Sequence, residues 1–160
     1  MEFGYNALKI MKFEFSAGGV VFKKSTNTKE DVIYILLAQH SQHHGWVFPK
    51  GLIGDREDNK HEGKEETALR EVEEETGVIG KILQPLTPVT YWYQWESEKR
   101  EKMVYYYVME FISGDFEKRD HEMEAVEWVE FDKVEEKLTY PTDKKVWREA
   151  REIIAIRDKR

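Results

Sequence analysis

The sequence predicts a mixed β-sheet interleaved with helices, an α/β or α+β arrangement. Three observations carry this expectation. Short apolar, β-branched runs recur, most clearly VIYILLAQ at residues 32–39. Residues 62–76 have helical spacing and end at Gly77, where a helix favours glycine. The chain closes on an amphipathic stretch, residues 141–157, that gathers Val146, Trp147, Ala150, Ile153 and Ile154 on one side.

The elements follow in order. Residues 13–22 (FEFSAGGVVF) read as strand, with Gly18 and Gly19 marking a bulge or a close backbone approach. Residues 32–39 form a buried strand. Trp46, Val47 and Phe48 form a short one, stopped by Pro49. A polar loop rich in Gly, Asp and Asn covers residues 51–61, and a helix covers 62–76. Residues 81–93 and 102–112 are strand-like and pair around a connection at 96–101. Residues 126–131 form a further strand, after which Asp132 caps a short helix to Leu138. The 160 residues suit one domain with one core, placed at 13–160 behind a leader at 1–12.

Composition narrows the function classes. No stretch approaches the ~20 apolar residues of a membrane helix, and the first residues lack a signal-peptide pattern. There is no cysteine. That removes disulfides and thiolate zinc sites and leads to the expectation of a cytoplasmic protein. The net charge of −7 disfavours non-specific nucleic-acid binding, while leaving room for a polyphosphate whose charge is offset locally by metal ions.

The helix at 62–76 is the chemically informative segment. On a helical wheel Ala68, Leu69, Val72 and Thr76 share an arc that faces the core. Glu71, Glu74 and Glu75 share another, at i, i+3 and i+4. Like charges at that spacing destabilise a helix. They also occupy its last turns, where the macrodipole favours cations, and no lysine or arginine follows until Lys81. Such a cluster makes sense around hard cations, and all-oxygen sites select Mg²⁺ or Mn²⁺. An acidic solvent face is the alternative for three glutamates alone.

The flanking residues resemble the signature box of the Nudix family. Arg70-Glu71-Val72-Glu73-Glu74-Glu75-Thr76-Gly77-Val78 fits every defined position of its helical half, and Glu62 lies at the required distance before Arg70. Gly51, in Phe48-Pro49-Lys50-Gly51, resembles the opening glycine. Ser16-Ala17-Gly18-Gly19-Val20-Val21 looks like the family's first strand. One departure stands out. Ten residues separate Gly51 from Glu62 where the box has five, so the usual glycine spacing would fall on Arg56. We read this as a lengthened surface loop at 52–61, a change that costs little entropy.

The resemblance implies an α/β/α sandwich with a mixed sheet between helices. It also implies a metal-dependent hydrolase that directs water onto phosphorus in a pyrophosphate linkage. By similarity Glu71, Glu74 and Glu75 are Mg²⁺ ligands (Mn²⁺ being the substitute), for two or three ions, and the Gly51 carbonyl is a further one. Glu74 or Glu75 serves as general base. Glu62 and Arg70 form a structural pair, and Glu66 and Glu73 are solvated. Glu122, six residues before Trp128, resembles a ligand that the family adds from outside the box. The adjacent His121 reads as a loop histidine. Lys50 offers a point charge to phosphate.

Aromatic residues crowd the hairpin, at Tyr91, Trp92, Tyr93 and Trp95 on one arm and Tyr105, Tyr106 and Tyr107 on the other. Alternation allows only every second ring to face one side. The segment at 102–107 resembles the strand of diadenosine tetraphosphate hydrolases in which a lysine and a tyrosine meet substrate, which nominates Lys102 and Tyr106. A dinucleoside polyphosphate is the leading expected substrate. A triphosphorylated RNA 5′ end, a nucleoside triphosphate, and a sensor domain that binds nucleotide without turnover are the alternatives. A monomer or a homodimer is expected.

Overall fold

A computed structural model describes residues 11–25 and 30–159. Most of the leader expected at 1–12 therefore lies outside the described residues. Its last two positions do not behave as leader, because the first strand already begins at Met11.

Among the described residues eight strands form one mixed sheet. They are β1 (Met11–Ser25), β2 (Val32–His40), β3 (Trp46–Val47), β4 (Lys50–Leu52), β5 (Val78–Pro85), β6 (Val89–Trp95), β7 (Glu98–Gly114) and β8 (Met123–Glu130). The central pair, β1 and β7, is parallel over Met11↔Lys99 to Phe22↔Glu110. The other pairings are antiparallel: β1 with β2 and β4, β2 with β3 and β8, and β7 with β5 and β6. Among the described residues the helices are α1 (Lys64–Thr76), α2 (Val134–Lys137) and α3 (Pro141–Asp158).

Strand alternation sorts the core into two layers. Ala17, Val21, Leu36, Tyr107 and Met109 face α1 and pack with its Ala68 and Val72. Val20, Ile35, Leu37, Val104, Tyr106 and Val108 face the other way and pack with Val146, Trp147, Ala150 and Ile154 of α3. This is the sandwich expected from the sequence, with a helix on each face. The apolar side read from residues 141–157 is the buried side of α3, with Ile153 partly covered at its margin.

Boundaries moved where hydrogen bonding overrides pattern. The first helix starts at Lys64, with Gly63 in the N-cap place and no side-chain cap. Glu62 stays outside it and accepts the Thr67 hydroxyl at 2.6 Å. Gly77 ends α1 with φ of 79° and donates to the Glu73 carbonyl at 2.7 Å, a left-handed cap that glycine adopts at low cost. The hairpin turn is tighter than expected. Only Glu96 and Ser97 connect β6 to β7, both with positive φ, which matches the twist of the flanking strands. Asp132 does not cap a helix; it lies inside a 3₁₀ turn, Phe131–Lys133, that leads into α2. Gly51 and Leu52, read as the start of a loop, pair with β1 as part of β4. The close approach expected at Gly18-Gly19 is real, since the Gly19 amide donates to the Pro49 carbonyl at 3.1 Å.

Candidate active site

The site grows from the meeting of α1 with β4. Glu71 is 6% exposed and Glu75 is 3% exposed. Glu74 is partly exposed, and Glu73 is solvated as its wheel position predicts. Strand β4 delivers the Lys50 amide to Glu75 Oε2 at 3.1 Å. Its next residue, Gly51, lies so close to Glu71 that an added Cβ would stand 2.0 Å from the carboxyl carbon. Only glycine allows a strand to pass this near the carboxylate.

Burial raises the pKa of Glu71, and Glu74 and Asp55 add to the rise against the opposing pull of Arg70. Burial pushes Glu75 well above the ordinary carboxylate value, with Lys50 opposing and Glu71 and Glu122 adding. Two neighbouring buried carboxylates with raised pKa values call for a proton or a cation.

Guanidinium groups bracket the cluster. Arg70 donates through Nε to both oxygens of Glu62 (3.0 and 3.1 Å) and through Nη1 to Glu71 (2.9 Å) and Glu74 (3.0 Å). Its Nη2 is buried with no partner among the described residues. Arg56, from the lengthened loop, donates through Nη2 to both oxygens of Glu74 at 2.9 and 3.1 Å. The pairing expected for Glu62 and Arg70 is therefore present, and Arg70 also spans to the neighbouring glutamates. Among the described residues no three Asp, Glu or His side chains converge as a finished coordination group, and Arg70 and Arg56 bond Glu71 and Glu74. The donor set still fits a hard divalent cation. It is all oxygen, partly buried, and gathered on one helix face beside a glycine that leaves room.

A network of charged and polar side chains continues from Glu75 towards α3. Lys50 is its pivot. Burial alone would lower the lysine, but the charges of Tyr91, Glu75, Asp143 and Glu122 outweigh this and raise it. Asp143, in the first turn of α3, is 7% exposed. Burial raises it to about 6, against the pull of Lys50, the Phe48 backbone and Tyr106. Further along, Lys102 stands opposite Glu14 on β1 and Tyr91 on β6. Burial lowers its pKa and Lys50 adds to the drop. Its Nζ lies 5.3 Å from the centre of the Tyr93 ring. Tyr93 donates its hydroxyl to Glu14, which also accepts Arg100 at 3.2 Å.

Tyr106 departs from expectation. It is 2% exposed, and its ring packs edge-on against Phe48, so it cannot stack on a base. Its hydroxyl donates to Asp143 at 3.4 Å. Tyr91 and Tyr93 share one side of β6 and are partly buried, while Trp92 and Trp95 are exposed. Glu122 is exposed but near, since its charge acts on both Glu75 and Lys50. One of its oxygens lies 3.7 Å from His40 Nε2. His121 is exposed, as befits a loop residue.

Sequence reasoning missed Arg56, Asp143, Glu14 and the His40–His43 pair, whose rings stack at 4.3 Å. Asp143 had one available signal, an acidic residue just after Pro141 in a helix first turn. Glu14 and Arg100 had none, because their meeting depends on strand pairing.

Comparison with known proteins agrees with this geometry. The family model of the NUDIX domain matches residues 13–150. The chain is 31% identical over 143 residues to a Mycobacterium tuberculosis protein named mutator protein MutT4, covering 88% of this chain and 56% of that protein. It is 30% identical over 121 residues to the asymmetrical bis(5′-nucleosyl)-tetraphosphatase of Rattus norvegicus, covering 73% and 79%. The chain thus spans only about half the length of its mycobacterial relative. A NUDIX hydrolase structure from Nitrosomonas europaea superposes with a TM-score of 0.65 at 16% identity, covering 86% of this chain and 88% of that one. The matched box, its helix and the sandwich that holds them together show that this chain belongs to the Nudix hydrolase family.

Proposed function

We propose that this protein is a divalent-cation-dependent pyrophosphohydrolase of nucleotides, with dinucleoside polyphosphates such as diadenosine tetraphosphate as its leading substrate class. The observation that carries the reading is the continuity of two chemistries. The carboxylates of Glu71, Glu74 and Glu75 lie at one end, and a run of lysine and tyrosine side chains, Lys50, Tyr91 and Lys102, is coupled electrostatically to that end through Lys50. Glu71, Glu74 and Glu75 would hold the cations, with the Gly51 carbonyl and Glu122 as further donors. When bound, Mg²⁺ or Mn²⁺ neutralises phosphate charge and acidifies a coordinated water. Glu74, the most accessible carboxylate of the three, takes the proton from the attacking water. Glu62 fixes Arg70, which orients Glu71 and Glu74. Lys50 and Lys102 hold phosphate oxygens as point charges. Tyr91 and Tyr93 offer ring faces to a base.

The likeness to the rat tetraphosphatase supports the dinucleoside reading. A nucleoside triphosphate is the second reading, supported by the likeness, 27% identity over 138 residues, to a Mycolicibacterium smegmatis protein named 8-oxo-(d)GTP phosphatase. A panel of diadenosine tetraphosphate, nucleoside triphosphates including oxidised guanine forms, and 5′-triphosphorylated RNA separates them, assayed with and without Mg²⁺ and with product analysis. Asymmetric cleavage of diadenosine tetraphosphate is expected. Preferential release of a monophosphate from a triphosphate would favour the second reading. Absence of any Mg²⁺-dependent release would leave a nucleotide-binding sensor.

A further inference from the structure

The loop that exceeds the box spacing is a built structure. Asn59, 9% exposed, is its anchor. Its Oδ1 accepts the Arg56 amide at 2.9 Å, its own amide donates to the Arg56 carbonyl at 3.2 Å, and its carbonyl accepts the Glu62 amide at 2.9 Å. Its Nδ2 also donates to Asp55 at 3.4 Å. At the base of the loop the Ile53 amide donates to the Phe15 carbonyl at 2.9 Å. These bonds fix the backbone of Arg56 beside α1.

The Arg56 side chain is half exposed, and it spends its charge on Glu74, with Asp55 farther off at 4.0 Å. Arg70, the other guanidinium at Glu74, is tied to Glu62 and Glu71 as well. The two arginines therefore differ in freedom. Arg70 cannot leave without abandoning a half-buried network. Arg56 can leave once Glu74 engages another cation, because two cations beside one carboxylate repel. Its guanidinium then stands at the rim of the carboxylate cluster with a planar fork of donors, the geometry that matches phosphate oxygens.

We propose that Arg56 is a substrate-positioning residue that alternates between two anions, the Glu74 carboxylate before cation binding and a phosphate of the polyphosphate chain afterwards. The inference rests on the reading of Glu74 as a cation-site carboxylate. It assigns the lengthened loop a role at the reacting end of the substrate.

The test uses the full chain, with Arg56→Ala and Arg56→Lys beside Lys60→Ala. The last alters the same loop at a lysine that pairs with Glu57 at 2.8 Å. Mn²⁺ alone is titrated by electron paramagnetic resonance. Methylenediphosphonate, a diphosphate analogue that cannot be hydrolysed, is titrated calorimetrically at saturating Mn²⁺. Arg56→Ala is expected to bind Mn²⁺ about two- to fivefold more tightly, the scale of an exposed ion pair removed as competitor. It is expected to bind the diphosphonate about tenfold more weakly, the scale of a lost charge-assisted contact. Arg56→Lys should fall between wild type and alanine in both, and Lys60→Ala should match wild type. A mere brace for the loop would weaken both ligands together, and that result overturns the proposal. So does an Arg56→Ala variant in which either affinity is unchanged, while Mn²⁺ binding and turnover by wild type leave the cation-site reading standing. Failure of the wild type to bind Mn²⁺ overturns both.

Discussion

Gly51→Ala tests how the site is assembled. The added methyl would lie 2.0 Å from the Glu71 carboxyl carbon and 2.3 Å from each carboxylate oxygen. Carbon contacts are normally near 3.5 Å or more, so one partner must move. The clash falls on the far end of a flexible side chain, and the backbone of β4 is tied to β1 through Ala17 and its neighbours. Glu71 should therefore swing away and lose its 2.9 Å bond to Arg70. That lost charged bond costs about 1–2 kcal/mol, partly offset because a buried carboxylate with a raised pKa escapes its neighbours. For a domain of this size the melting temperature should fall by no more than about 4–8 °C. Activity should suffer far more. Displacing one charged group from a preorganised site costs on the order of 10²-fold in kcat, and Mn²⁺ affinity should drop in parallel. Differential scanning calorimetry, Mn²⁺ titration and steady-state kinetics on one preparation check this. Unchanged kcat and Mn²⁺ affinity would refute the placement of Glu71, and a collapsed melting transition would refute the claim that the side chain absorbs the clash.

Four further outcomes are expected. Glu74→Gln should lower kcat by about 10²-fold or more at saturating Mg²⁺, while Glu73→Gln, on the solvated side of α1, should leave it unchanged; equal effects would sink the role given to Glu74. Arg70→Ala strips partners from Glu62, Glu71 and Glu74 together and should cost on the order of 3 kcal/mol in chemical unfolding, against little change if the network were solvated. Gly77→Ala places a methyl 1.9 Å from the Asp115 backbone oxygen at a positive φ, so stability should fall by more than about 2 kcal/mol, and a neutral melt would contradict the cap. Asp143 titrates at about 6 in the fold against an unperturbed 3.8, so the native state keeps a proton that the unfolded chain has released. That stabilising contribution is full below about pH 4, lost above about pH 6, and on the order of 3 kcal/mol in all; Asp143→Asn should gain on wild type as pH rises through this window, and parallel denaturation profiles would count against it.

Much of the fold was legible because it rests on local pattern. Apolar, β-branched runs gave β1 and β2, period 3.6 gave α1 and α3, and Gly77 marked a helix end. Misreadings arose where pairing overrides composition. Gly51 and Leu52 look like loop, yet β1 offers them a partner edge. Asp132 looks like a cap, yet the chain tightens into a 3₁₀ turn there. The hairpin turn came out shorter because Glu96 and Ser97 adopt positive φ, which nothing in their side chains announces.

The glutamate face of α1 is a consequence of helical geometry, so the sequence by itself determined that Glu71, Glu74 and Glu75 share one side and that Glu73 does not. It also determined the pairing distance of Glu62 from Arg70. Only the tertiary structure decided the environment of those carboxylates. Burial beside β4 raised Glu71 and Glu75, the lengthened loop brought Arg56 onto Glu74, and α3 carried Asp143 to Tyr106. The physical reason is range. Spacing along a helix fixes neighbours three and four residues apart, whereas desolvation and charge come from segments distant in sequence and meet only when the sheet closes around them.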